Sequence, residues 1–183
     1  MRQKEFKVVI LRLGHRTFRD HRVTSHVALA ARAFGADEVI IADSKDENVE
    51  STVKKVVKNW GGKFNVITGV SWKKVISNWK KSGGEIIHLT MYGLDVDNVI
   101  DQIVETGRDK MIVIGATKVP GELYKLADFN VSVTHQPHSE VSALAILLDR
   151  LFQGEELSKN FNSARISISS CANGKKIVRK RSG

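Results

Sequence analysis

The chain has 183 residues, 42% hydrophobic and 27% charged, which fits one globular domain with a real core and excludes a disordered or fibrous chain. Its 29 Lys and Arg against 20 Asp and Glu give a formal charge of +9, and such a surface concentrates polyanions, nucleic acid first among them. The single cysteine, Cys171, excludes an intrachain disulfide and a cysteine zinc cage, and no apolar run reaches the roughly 18–20 residues that a membrane span needs. The start, MRQKEFKVVILRLG, runs straight into a strand pattern with nothing like a signal-peptide cleavage site, so a cytoplasmic protein is expected.

Residues 7–13 (KVVILRL) read as a first strand, followed by an arginine-rich stretch. Thr24 or Ser25 could cap a helix that runs to about Phe34, with Gly35 as its stop. Residues 38–42 (EVIIA) form a second strand, and residues 47–60 a helix ended by Gly61 and Gly62. Strand 63–68, helix 72–81, strand 85–90 and helix 96–105 follow, then the most apolar strand at 110–115. A short helix at 121–127, a strand at 130–134 and a long apolar helix at 140–152 complete the alternation. This order implies right-handed βαβ units: an α/β fold with a mostly parallel sheet and helices on both faces, over residues 1–155.

Beyond Gln153 and Gly154 the pattern changes. ARISISS alternates with period two, Asn173-Gly174 is a strong hairpin signal, and KKIVRKR carries five Lys and Arg in seven residues. Residues 163–183 are therefore expected to form a small C-terminal β-hairpin, too small to be stable unless it packs on the domain or a second subunit.

In an open parallel sheet, ligands bind beyond the carboxyl ends of the strands. Three loops fall there: 89–93 (LTMYG), 115–121 (GATKVPG) and 133–139 (VTHQPHS). The only two prolines of the chain, Pro120 and Pro137, lie in the last two. Proline stiffens a loop and suits a helix start, while Gly115 and Gly121 would let backbone approach a ligand closely. Two such loops make a preorganised backbone pocket that could read a purine edge. Neither G-x-G-x-x-G nor G-x-x-x-x-G-K-[ST] is present, so a nucleoside would be held without those cradles.

The run GATKVPGELYKLAD, the run QPHSEVSALAILLDRL and the N-terminal LGHRTFRDHRVTSHVALAARAFGADEVIIA together resemble the SPOUT methyltransferases. Within them they are most similar to the archaeal family acting on the 2′-oxygen of cytidine 56 in the TΨC loop of tRNA. The resemblance covers nearly the whole chain to about Leu151, and the hairpin fits the family's small C-terminal extension. It implies a C-terminal trefoil knot, S-adenosylmethionine as cofactor, tRNA as partner and a homodimer. It also implies that Leu89, Gly115, Ala116, Thr117, Lys118 and Val119 contact the cofactor, together with Val133, Thr134, His135, Gln136, Pro137, His138, Ser139 and Glu140. The two prolines would hold those loops in shape.

Other residues carry more than one reading. Six histidines, His15, His21, His26, His88, His135 and His138, form no H-E-x-x-H, so no metal is expected. Glu122 and Glu140 could simply complement helix dipoles, or set a carboxylate beside a cationic cofactor. Arg12, Arg16, Arg19 and Arg22 could be a solvated basic face or a phosphate grip, with one arginine at the reacting ribose. Arg22, Arg32, Arg19 and Arg16 are the candidates for that catalytic position, and Arg12 for a grip. Arg32 enters because His26 and Arg32 keep the Asn-x5-Arg spacing of related enzymes, with histidine in place of asparagine. Trp72 and Trp79, seven apart, mark one packed helix face. The alternatives left open are a knotted methyltransferase acting on rRNA or a base, and a non-enzymatic RNA-binding protein with a vestigial pocket.

Overall fold

The computed structural model describes residues 6–179. Six strands, β1 (Val8–Leu13), β2 (Glu38–Ala42), β3 (Asn65–Val70), β4 (Glu85–Asp95), β5 (Lys110–Gly115) and β6 (Phe129–Ser132), form one sheet in the order β3-β2-β1-β5-β4-β6. Every pairing in it is parallel. Strands β1 and β2 are buried along their whole length, which is why VVILRL and EVIIA are near-continuously apolar. Edge strand β3 alternates exposed and half-buried residues.

Helices cover both faces, as the alternation requires. Helices α1 (His21–Ala33), α2 (Glu47–Trp60), α4 (Val96–Glu105) and α6 (Glu140–Phe152) close one core around Val27, Val53, Ile103 and Leu147. Helices α3 (Trp72–Lys81) and α5 (Leu123–Leu126) close the other around Trp72, Ile76 and Leu123, with Trp79 packed beside them.

Three boundaries that differ from the sequence reading bear on the site. Helix α1 starts at His21, ahead of Thr24. Thr24 does not cap it, because its hydroxyl is buried in a side-chain network, and Asp20 makes no cap bond, because its carboxylate is occupied by Arg16. Strand β4 runs on past Thr90: Leu89 and Leu94 both pair with Val131, and residues 90–93 bulge out between them. Gly93 permits the return, since a Cβ there would meet the Asn130 and Val131 backbone at 2.5 Å. Strand β6 ends at Ser132, leaving Val133 and Thr134 in the following loop.

The hairpin is present as β7 (Ile166–Ser169) and β8 (Lys176–Arg179), antiparallel, with Ile168 opposite Ile177. Its last pair is Ser169 with Lys176, so the turn spans residues 170–175 rather than the two of an Asn-Gly turn. Residues 180–183, the end of the expected returning strand, lie outside the described residues, as do residues 1–5. The hairpin is anchored through its linker. Gly62 N donates to Asn162 O at 2.8 Å, Arg165 N to Asn59 O at 2.9 Å, and Gly61 lets the linker backbone lie against it.

Candidate active site

At the carboxyl end of the sheet a cleft of about 740 Å³ opens between the β4 bulge, the loop after β5 and the loop leading into α6. That volume lies in the range of small-molecule and cofactor sites. Of the residues expected to hold a cofactor, Leu89, Gly115, Thr117, Lys118, Val119, Val133, Pro137, His138 and Glu140 line it. Ala116, Thr134, His135, Gln136 and Ser139 belong to the same loops but not to the wall.

Those five shape the loops instead. Ala116 N donates to Leu13 O at 2.9 Å, and Gln136 N to Thr134 Oγ1 at 3.3 Å. Ser139 caps α6 by accepting from Val141 N at 3.2 Å. His135 Nδ1–H donates to Met91 O at 2.8 Å while Nε2 lies 2.9 Å from Asp95 Oδ1, which straps the 133–139 loop onto the β4 bulge. The Met91 carbonyl, aided by Asp95, raises the His135 pKa above the usual histidine value.

The two glycines differ. At Gly115 a Cβ would meet Val119 Cγ1 at 2.5 Å and Thr117 O at 2.7 Å, so this glycine makes room for the loop's own turn rather than for a ligand. At Gly121 a Cβ would meet nothing within 4 Å, and the residue lines the cleft.

Sequence reasoning missed one wall. His88 and Tyr124 face the cleft edge-to-face, their ring centroids 4.7 Å apart. His88 Nδ1–H donates to Asn130 Oδ1 at 2.8 Å, Asn130 Nδ2 donates to Tyr124 O at 2.9 Å, and the Tyr124 hydroxyl lies 3.1 Å from Thr90 Oγ1. Burial lowers the His88 pKa, outweighing the Asn130 bond, so the ring is neutral at neutral pH. A polar residue inside the apolar run EIIHLT was its only sequence signal. No group of three or more potential metal-ligating side chains occurs among the described residues.

Behind the cleft runs a buried polar chain. Glu140, first residue of α6, accepts from Arg12 Nη2 at 2.9 Å. Arg12 Nε donates to Thr24 Oγ1 at 2.9 Å, Thr24 Oγ1 lies 2.8 Å from His15 Nδ1, and His15 Nε2 lies 2.9 Å from Asp46 Oδ2. One set of protons satisfies every link: the Thr24 hydroxyl donates to Nδ1 and Nε2–H donates to Asp46. Burial pushes the Asp46 carboxyl up, but bonds from Val49 N, His15 and Asn48 N bring it below the usual carboxylate value. Arg12 is 1% exposed and so is not the free phosphate grip suggested by the sequence.

The remaining arginines separate cleanly. Arg16 forms a two-pronged pair with Asp20, at 2.9 and 3.1 Å. Arg19 and Arg22 are exposed, without a partner among the described residues. Arg32 sits in the last turn of α1. Its Nη2 donates to Gly61 O at 2.6 Å and its guanidinium lies 4.3 Å from the Phe161 ring centroid. It holds the hairpin linker and does not line the cleft. Glu122 is also off the wall, paired with Lys73 at 2.8 Å on the surface. The arginine loop itself abuts the cleft, since Gly14 packs so close to Thr117 that a Cβ would come within 2.6 Å of its Oγ1.

The fold is similar to that of solved SpoU-type methyltransferases. It superposes on the SpoU methyltransferase AviRb from Streptomyces viridochromogenes, crystallised with AdoMet, with a TM-score of 0.57 at 16% identity, over 81% of this chain and 57% of that one. On the A. aeolicus TrmH/SpoU tRNA modifying enzyme the TM-score is 0.58 at 15% identity, over 86% and 78% of the two chains. The chain belongs to the tRNA ribose 2′-O-methyltransferase family, aTrm56, whose model matches residues 60–178. The tRNA (cytidine(56)-2′-O)-methyltransferase of Pyrococcus horikoshii is 55% identical over 93% of this chain and 84% of its own length. The enzyme of the same name from Thermofilum pendens is 50% identical over 95% and 97%.

Proposed function

We propose that this protein transfers a methyl group from S-adenosylmethionine to the 2′-oxygen of cytidine 56 in tRNA, acting as a cytoplasmic homodimer. The observation that carries this reading is the juxtaposition of a cofactor-sized cleft with an arginine-rich loop, joined where Gly14 meets Thr117. Family membership and relatives of about half identity support the substrate. Among the described residues no helix is long and apolar enough to cross a membrane.

The donor set fits the cofactor. Backbone of the 115–121 and 133–139 loops offers amides and carbonyls to an adenosine, and the Glu140 carboxylate offers a negative charge to a cationic group. S-adenosylmethionine supplies an electrophilic methyl on a sulfonium that leaves as a neutral thioether. The protein's own task is to aim the ribose and steady the oxygen that attacks. An arginine cannot serve as base, because its pKa exceeds about 12. Arg22 is assigned to orienting the 2′-hydroxyl and stabilising the developing alkoxide, across the interface from the partner's cleft, with Arg19 and Arg16 as alternatives. A substrate phosphate or water takes the proton. The hairpin, with Lys175, Lys176 and Arg179, grips RNA or joins the subunits. The 115–121 and 133–139 loops belong to a C-terminal trefoil knot, a reading supported by the family.

The test is methyl transfer to a tRNA transcript, followed by mass mapping. Methylation is expected at cytidine 56 and lost when that nucleotide is 2′-deoxycytidine. Methylation elsewhere, or S-adenosylmethionine left unbound in a calorimetric titration, overturns the reading.

A further inference from the structure

The most exposed large apolar side chain among the described residues is Phe18, at 86%, in the middle of the arginine loop. An apolar ring held in water needs an explanation when the segment beneath it is rigid. Here it is rigid at three levels. Asp20 N donates to Arg16 O at 2.8 Å and Arg19 N to the same oxygen at 3.1 Å, a helical turn with Phe18 at its tip. The two-pronged Arg16–Asp20 pair closes that turn from the side. At its base, His15 and Thr24 are joined at 2.8 Å, and Ser44 Oγ donates to His15 O at 2.9 Å. The ring is therefore presented, not left over from a floppy loop.

What surrounds the ring selects its occupant. Arg19 and Arg22 flank it in the chain, their guanidinium groups unpaired among the described residues, His21 is exposed beside them, and α1 carries no acidic residue in its first turn. A protein face seated here would bury those arginines without partners unless it brought carboxylates. An RNA strand brings phosphate and ribose oxygens to the arginines and a flat base to the ring, the combination by which single-stranded nucleic acid is held.

We propose that Phe18 is a stacking platform for an unpaired base of the tRNA substrate, with Arg19 neutralising an adjoining phosphate. This rests on the reading above that the substrate is RNA. Phe18 is a recognition residue, outside the cofactor cleft.

The experiment compares full-length wild type with Phe18→Ala, Phe18→Leu and Phe18→Trp, on the same tRNA transcript. Phe18→Ala and Phe18→Leu are both expected to weaken tRNA binding about five- to a hundredfold, the range for losing one stacked base, while Phe18→Trp retains it. The salt dependence of binding should keep its slope in Phe18→Ala and become shallower by about one in Arg19→Ala. S-adenosylmethionine affinity should match wild type in every variant, which also reports that each has folded. Unchanged binding in Phe18→Ala overturns the proposal. So does rescue by Leu, or a Phe18→Ala protein that changes its oligomeric state in sedimentation, either of which assigns the ring to a protein contact. If wild type itself neither binds nor methylates tRNA, the functional reading fails instead, and that result is read before any variant is made.

Discussion

Arg12 and Glu140 lie 128 residues apart in the chain and 2.9 Å apart in space, joining the end of β1 to the start of α6. The pair places a buried cation directly behind a carboxylate that lines the cleft. Arg12 Nη1 has no hydrogen-bond partner among the described residues, so the charge of Arg12 leans on this one carboxylate and on Thr24. Glu140→Gln should therefore lower both S-adenosylmethionine affinity and stability, the latter by about 1–3 kcal/mol. Combined with Arg12→Met in a double-mutant cycle, the coupling should reach about 1–3 kcal/mol. Strictly additive losses in calorimetry and denaturant unfolding would show that the two residues act separately.

The arginines should fail in different ways. Arg22→Ala is expected to lower kcat about a hundredfold or more at saturating tRNA, as removal of one transition-state donor does. Arg19→Ala should raise KM and leave kcat near wild type. Arg16→Ala releases Asp20 and loosens the loop, so both parameters should suffer. Arg32→Ala should leave kcat unchanged while the hairpin linker becomes sensitive to limited proteolysis. Normal turnover of Arg22→Ala at saturation would place the activating group elsewhere.

His135 gives cofactor binding a pH dependence. Its folded-state pKa is raised, chiefly by the Met91 carbonyl, so the strap on the β4 bulge is complete below the ordinary value of 6.5 and weakens as pH rises through the raised one. S-adenosylmethionine affinity should fall over that window in wild type and stay flat in His135→Gln. Titration calorimetry at several pH values measures both.

Glu156, in the short 3₁₀ turn at Glu155–Ser158, is buried, and neither carboxylate oxygen has a hydrogen-bond partner among the described residues. Burial, with Asp149 adding repulsion, raises its pKa above the ordinary 4.5. The folded state thus holds the proton more tightly than the unfolded chain. Stability is full below the unfolded value and declines as pH rises through the folded one. Glu156→Gln should raise the melting temperature at pH 8 and have little effect at pH 4. Equal effects at both pH values would mean that Glu156 is neutral throughout.

At the far end of the sheet, Lys110 Nζ donates to Glu85 Oε2 at 2.6 Å with both side chains fully buried, and Arg108 and Thr106 complete the cluster. Lys110→Met strands part of a buried carboxylate charge and should cost about 3 kcal/mol of stability. Cofactor affinity should not move, because the cluster lies at the amino ends of the strands. Denaturant unfolding beside a cofactor titration separates the two effects.

Local pattern placed most of the helices and strands. Helices α2, α3, α4 and α6 and strands β2 and β5 stand where period and punctuation place them, because a stop such as Gly61 acts on its own neighbours, and in the structure Asp46 and Ser139 cap the helices that follow them. The two proline loops pointed to the cleft for the same reason: a parallel sheet puts its strand ends, and so its loops, together. Only the tertiary structure decided the rest. It withdrew Arg12 and Arg32 from solvent by supplying Glu140 and Thr24 to the one, Gly61 and Phe161 to the other. It also moved the start of α1 by engaging Asp20 and Thr24 elsewhere, and brought His88 and Tyr124 into one wall across 36 residues of chain. An arginine's role depends on which acceptors reach it, and those acceptors came from segments far away in the chain, beyond the reach of any local period.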